Sequence, residues 1–357
     1  MSPRIGLALS GGGFRATAFG LGSLRALHDR DLLGQVTAVS GISGGSLLAA
    51  MWAYGPEQFD EFDDTVTTLL RAGLQTELAR RALTPRAAGR AIASAAHAVG
   101  SRQGRSYSRT DALVEALAAR DFGAKLVTDV THVGTETVIS STDMGTGNAV
   151  RFGSVLSACS PYGTILSDVT VAEAVAASAA FPILLPALRR GYEFQGKDGV
   201  RRSEQLVMTD GGVYDNLGLA PLLPGRSRQF SSHVFDLDYI VAVDAGRGRS
   251  DRPPARFMVG RLAQSFDITH TKSQDAARSR VHSAREHAEL KGFVHVYLGM
   301  RDERLPIPLA DLVLRTVVQK YPTNFSPMRA DDLDAIAIRG EQLTRTLLNA
   351  YTPDLGG

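Results

Sequence analysis

Over the first fifth of the chain, apolar residues come in short unbroken blocks separated by glycine-rich turns. Ile5–Leu9 carries no charged or hydrogen-bonding side chain, and residues 36–40 are nearly as apolar; runs of this kind predict strands buried on both faces. After the first block, Phe19, Leu24 and Leu27 place one apolar face on a helix over residues 14–28. After the second, Leu47, Leu48, Met51 and Trp52 do the same until Gly55-Pro56 stops the helix. Two strand–turn–helix units in succession predict an α/β fold with a mostly parallel central sheet flanked by helices.

The pattern then changes. Phe62, Val66, Leu69, Leu70, Leu74 and Leu78 recur at helical spacing, and Thr84-Pro85 has the form of an N-cap followed by proline, opening a helix towards Val99. A loop over 100–108 precedes a helix over 110–119. Further strands are expected at 137–141, 205–209, 239–243 and 293–298, and a small Ala-rich helix over 171–180. Residues 186–203 read as a polar loop or hairpin. A terminal helix over 331–350 aligns Leu333, Ile336, Leu343 and Leu347, with Asp331 and Asp332 at its positive end. The expected organisation is one core over 4–220 with a helical, Arg-rich insertion at about 57–122, and a C-terminal elaboration over 221–357 packed on the same domain.

Composition narrows the function. Among 357 residues, 39 are basic and 37 acidic, a balance that argues against a general nucleic-acid binder. The single cysteine, Cys159, excludes an intrachain disulfide and fits a reducing compartment. No signal-peptide pattern opens the sequence, and the uncharged stretch from Leu32 to Pro56 is interrupted by Ser40-Gly41-Ile42-Ser43-Gly44-Gly45-Ser46, too polar for a span. The expectation is a cytoplasmic protein without a transmembrane helix. Eight arginines face one acid, Glu77, between Arg71 and Arg109. That block reads either as a membrane-facing cap for anionic headgroups or as a solvated basic helix.

Two turns carry the candidate chemistry. Gly41-Ile42-Ser43-Gly44-Gly45 fits G-x-S-x-G between a buried strand and a helix, where a tight turn thrusts a serine hydroxyl out of the sheet. Ser10-Gly11-Gly12-Gly13-Phe14-Arg15 follows the first strand in the same way and offers bare backbone N–H groups to negative charge. The second turn suits an oxyanion hole; it also matches a dinucleotide loop, but the acidic residue that loop needs at the end of the second strand is replaced by Ser40-Gly41. A serine needs a base. The eight histidines are scattered, whereas Asp210-Gly211-Gly212 follows an apolar strand end; Asp244, at another strand end, is the fallback. No H-E-x-x-H or comparable metal-ligand set is present, so neither metal nor cofactor is expected.

Together, Gly-Gly-Gly-Phe-Arg at 11–15, Gly-Ile-Ser-Gly-Gly at 41–45, Asp-Gly-Gly at 210–212 and Ala-Ser-Ala-Ala-Phe-Pro at 177–182 resemble the signature blocks of patatin-like phospholipases, in the family's order. The resemblance covers roughly residues 4–220. It implies a patatin-type three-layer α/β fold and hydrolysis of lipid acyl esters by a Ser–Asp dyad. Ser43 would be the nucleophile and Asp210 the base. Gly11, Gly12 and Gly13 would supply oxyanion N–H groups, with Arg15 at the family's basic position. Ala16 departs from the glycine common there. The implied partner is a lipid or other acyl-ester substrate. The alternative is a non-catalytic or nucleotide-binding α/β module.

Overall fold

The computed structural model describes residues 2–82, 107–182, 184–229, 231–248 and 255–355. The helix expected after Pro85, most of the loop after it and much of the basic block fall outside these residues. The strands are β1 (Ile5–Leu9), β2 (Val36–Gly41), β3 (Glu136–Asp143), β4 (Ala149–Gly153), β5 (Ala158–Cys159), β6 (Gly163–Ile165), β7 (Leu188–Gln195), β8 (Arg201–Asp210), β9 (Tyr239–Asp244) and β10 (Gly292–Tyr297). The helices are α1 (Phe14–His28), α2 (Gly44–Tyr54), α3 (Phe59–Ala72), α4 (Gln75–Ala82), α5 (Arg109–Leu117), α6 (Val171–Ser178), α7 (Gly212–Asp215), α8 (Met258–Glu286), α9 (Arg315–Val318) and α10 (Ala330–Tyr351).

All ten strands form one sheet in the order β10-β9-β1-β2-β3-β4-β5-β6-β7-β8, and β8 also pairs with β3. The expectation of a mostly parallel sheet needs correction. The pairings among β10, β9, β1, β2 and β3 are parallel. Those from β3 round to β8 and back to β3 are antiparallel and close a six-strand ring. The fold is mixed α/β. The ring escaped the hydropathy pattern because its strands are short or have one wet face. β7 buries Leu188, Tyr192 and Phe194 while Arg189, Gly191, Glu193 and Gln195 face outward; such alternation reads as polar loop beside the solid blocks of β1 and β2. Residues 186–203 prove to be most of the β7–β8 hairpin, with Leu188 opposite Met208 and Gln195 opposite Arg201.

Parallel pairing brings the ends of β1 and β2 level, Leu9 opposite Gly41. β9 lies on the other side of β1, with Val243 opposite Leu9. Around the ring, Asp210 at the end of β8 faces Ser141 of β3. Four strand ends therefore meet along one edge. The helices behind it follow ordinary amphipathic logic. α3 buries Phe62, Val66, Leu69 and Leu70 and carries Asp60 and Glu61 in its first turn, where the helix dipole favours them. α10 buries Leu333, Ile336, Leu343 and Leu347, as its spacing predicts, and packs along α1. Its Arg339 is fully buried, bonded to the carbonyls of Leu298, Met300 and Val313 and to Asp302.

Candidate active site

The serine turn is built by close backbone contact. Ser43 has φ 51° and ψ −118°, a strained conformation for any residue with a side chain. Its hydroxyl does not cap α2, although Ser43 occupies the N-cap position. A Cβ on Gly44 would come within 2.0 Å of the Gly13 carbonyl oxygen, so only glycine lets the two turns touch. The Ile42 N–H donates to the Leu9 carbonyl at 3.1 Å and locks the serine turn to the end of β1. The positive end of α2 points at the same place.

The end of α6 joins this turn to the aspartate. Ser178 Oγ accepts the Ser43 N–H at 2.9 Å, and the Ser178 carbonyl accepts the Gly211 N–H at 3.2 Å. The Ala180 carbonyl takes the Asp210 N–H at 3.0 Å. The helix expected over 171–180 stops at Ser178, and this early stop exposes the two carbonyls that position the Asp-Gly-Gly turn. Asp210 Oδ1 accepts the Gly212 N–H at 2.7 Å, and the Ser43 hydroxyl lies close enough to the Asp210 carboxyl to draw its pKa down. Burial pushes the Asp210 carboxyl up to about 6, against the Gly212 and Ser43 hydrogen bonds, which pull it down. No cation is among its partners.

Among the three glycines, the structure distinguishes one. The Gly11 N–H is spent on the Asn216 carbonyl at 3.0 Å, so the expectation that it serves an oxyanion is not supported. The N–H groups of Gly12 and Gly13 have no hydrogen-bond acceptor among the described residues. Residues 321–324 cover this loop. The Phe14 N–H donates to the Asn324 carbonyl at 3.0 Å. Arg15 is buried and donates to Ala245 O at 3.0 Å, Tyr321 O at 2.8 Å and Thr323 Oγ1 at 2.9 Å. Desolvation, with Arg247 nearby, lowers it to about 10, where it is still a cation at neutral pH. Arg15 is thus a clamp on the loop.

Sequence reasoning missed Asn216 and Asn324, which act here through backbone carbonyls and so leave no residue signature. Asp244, the fallback base, ends β9 fully buried but accepts His295 Nε2 at 3.1 Å, Arg278 at 3.0 Å and the Gly246 N–H at 2.8 Å. These partners hold it below the usual aspartate range, despite its burial. The described histidines are occupied elsewhere. His233 bonds to Leu156 O and is pushed down to about 4 by burial; His132 stacks on Trp52, and His28 on Phe59. His97 and the His270 side chain lie outside the described residues. Among the described residues no cluster of three or more His, Cys, Asp or Glu side chains could hold a metal ion.

Residues 7–223 match the family described as patatin-like phospholipase. The chain belongs to that family. No curated protein matches the sequence. Among solved structures, human GIVD cytosolic phospholipase A2 aligns over 98% of this chain and 59% of its own, at 14% identity and a TM-score of 0.58. The same human enzyme in complex with methyl gamma-linolenyl fluorophosphonate aligns with a TM-score of 0.55 at 14% identity, over 98% of this chain and 58% of that one. VipD from Legionella pneumophila aligns over 98% of this chain and 67% of its own, at 15% identity and a TM-score of 0.45. At such identities the likeness extends to fold alone. This patatin-like chain spans about three fifths of the human enzyme's length. No described helix is long and apolar enough to cross a membrane.

Proposed function

We propose that the chain hydrolyses carboxylic esters of lipids, of the phospholipase A or lysophospholipase type, through Ser43 and Asp210. The observation that carries this reading is a buried carboxyl, close enough to the Ser43 hydroxyl to feel it, with no cation among its partners in the described residues. An aspartate in water, near 3.9, is a feeble base; lifted to about 6 it accepts a proton far more readily and is still largely ionised at pH 7.

In this mechanism Ser43 Oγ attacks the ester carbonyl while its proton passes to Asp210. The developing oxyanion is met by the Gly12 and Gly13 N–H groups and by the positive end of α2. Collapse of the tetrahedral intermediate expels the alcohol, which takes the proton from Asp210. Water, activated by the same carboxylate, then releases the fatty acid and restores Ser43. Arg15 touches no reacting atom in this scheme and holds the oxyanion loop in place. The human relative's complex with a fluorophosphonate suggests the complementary probe.

The test is fatty-acid release from mixed phospholipid vesicles by wild type, Ser43→Ala and Asp210→Asn, together with fluorophosphonate labelling read by mass spectrometry. Activity in wild type alone, with the label on Ser43, is expected. Activity that survives in Ser43→Ala sinks the dyad. An unlabelled Ser43 in an inert wild type favours the binding-module alternative.

A further inference from the structure

The sequence reading looked for membrane contact in the basic block around α4. Where that block is described it argues for a solvated face: Arg81 is paired with Glu77 at 2.7 Å and lies within 3.9 Å of Glu115. A different element has the features of a docking surface. α8 spans 29 residues, and its later turns pack into the fold. Ala277, Val281 and Ala284 pack with Leu290 and Phe293 beneath the sheet, and Arg278 reaches Asp244 at the end of β9. β9 ends on the same edge as Ser10–Gly13 and the serine turn. Twenty residues of α8 precede Arg278, so at 1.5 Å per residue the helix runs about 30 Å beyond the level of that edge.

Its N-terminal end carries exposed apolar and basic side chains. Phe257, Met258 and Ile268 are 82%, 75% and 62% exposed. At 3.6 residues per turn, these three share an arc of about 100° with Arg261 and Lys272, on the side opposite Ala277, Val281 and Ala284. Arg256 stands immediately before them. Over residues 255–272 the sequence has three cations and one acid, Asp267. Large apolar side chains left in water and ringed by basic ones are costly in solution and suited to a bilayer surface, where the rings and thioether enter the acyl boundary and the cations meet headgroups.

We propose that the N-terminal turns of α8 dock the protein onto an anionic lipid surface through Phe257, Met258 and Ile268, steered by Arg256, Arg261 and Lys272. The position of α8 then brings the Ser43 edge of the sheet towards the bilayer. Its usefulness rests on the lipid hydrolase reading; its test does not. Charge complementarity selects an anionic membrane over a second copy of this chain, because two such tips would repel each other.

The experiment is co-sedimentation of the full chain with phosphatidylcholine vesicles, with and without one quarter phosphatidylglycerol, at 0.1 M salt. Hydrolysis of a soluble short-chain ester is measured on the same samples. Wild type should partition onto the anionic vesicles at least tenfold more strongly. Phe257→Ser combined with Met258→Ser and Ile268→Ser should weaken binding to both lipids by about 10²-fold. Arg256→Glu with Arg261→Glu and Lys272→Glu should abolish the preference for anionic lipid, since each cation near such a surface contributes about a fivefold effect. Neither set should change hydrolysis of the soluble ester. Equal binding by wild type and variants overturns the proposal, as does absence of binding by wild type. A dimer that the serine set converts to a monomer on size-exclusion chromatography, without lipid binding, assigns the patch to self-association instead. Vesicle binding without ester hydrolysis would leave the docking surface standing and bring down the hydrolase reading; hydrolysis without binding does the reverse.

Discussion

Asp210 and Asp244 end two strands of the same sheet, with β1, β2 and β3 between them, each almost wholly buried and each followed by a turn containing glycine. Asp210 is met by a backbone N–H and a serine hydroxyl, both neutral, and its carboxyl rises to about 6. Asp244 is met by a guanidinium, an imidazole and a backbone N–H, and its carboxyl falls below the usual range. Burial acts on both in the same direction, so the partners decide the outcome. One carboxylate remains destabilised and available for a proton. The other is a fixed charge that holds the end of β9, and with it Ala245, whose carbonyl anchors Arg15 and whose N–H is held by Ser10 Oγ at 2.9 Å.

The sharpest way to break this comparison is to remove each group in turn. Ser43→Ala should lower kcat/KM on the order of 10⁶-fold, and Asp210→Asn about 10²- to 10⁴-fold, with Ser43→Ala expected to leave stability little changed. Asp244→Asn should do the opposite. It leaves Arg278 and His295 facing a neutral amide, so urea denaturation should register a loss of about 3–5 kcal/mol. Its kcat at low temperature should remain within about tenfold of wild type. If Asp244→Asn proves as dead as Asp210→Asn while still folded, the division of roles fails.

Arg15 comes next. Arg15→Met removes the clamp between the glycine loop, Ala245 and residues 321–323. Its kcat should fall about tenfold to a hundredfold, less than for outright loss of an oxyanion donor, with KM nearly constant. Arg15→Lys should rescue little, because one ammonium cannot reproduce three directed contacts. An unchanged kcat would show that the loop is held without the clamp.

The remaining effects are in pH. The ionised Asp210 is the reactive form, so kcat/KM should fall about tenfold per unit below pH 6. The stability effect has the opposite sign. Because the folded value lies above the ordinary 3.8, the group's contribution is complete below pH 3.8 and is lost as pH rises through about 6. It amounts to about 3 kcal/mol. Asp244, shifted down, stabilises above 3.8 and loses that contribution as pH falls through its lower folded value. Stability curves of Asp210→Asn and Asp244→Asn, each subtracted from wild type between pH 3 and 7, should therefore slope in opposite senses.

The readable parts of this molecule are those where local chemistry is demanding. β1, β2 and the helices after them declare themselves because both faces of each strand are buried. Ser43, Asp210 and the glycines stood out as candidates because a sharp turn and close backbone approach restrict the residue types. The ring strands β4 to β7 were illegible because one wet face dilutes their apolar signal. Asn216 and Asn324 lay beyond reach for a different reason: any residue supplies a carbonyl, so the contact is written in the fold and not in the side chain. The engagement of the Gly11 N–H by the Asn216 carbonyl is likewise announced by no motif.

The covering of the glycine loop by residues 321–324 has a temporal consequence. During synthesis Ser43, Asp210 and all three glycines have emerged more than a hundred residues before the Asn324 carbonyl that fastens Phe14 and the Tyr321 carbonyl that fastens Arg15. A nascent chain that already holds Ser43 and Asp210 still lacks the contacts that fix the glycine loop. If the proposed hydrolysis holds, activity arrives late, with the docking of a remote segment, and a chain cut short before that segment would carry the proposed dyad without the loop geometry it needs.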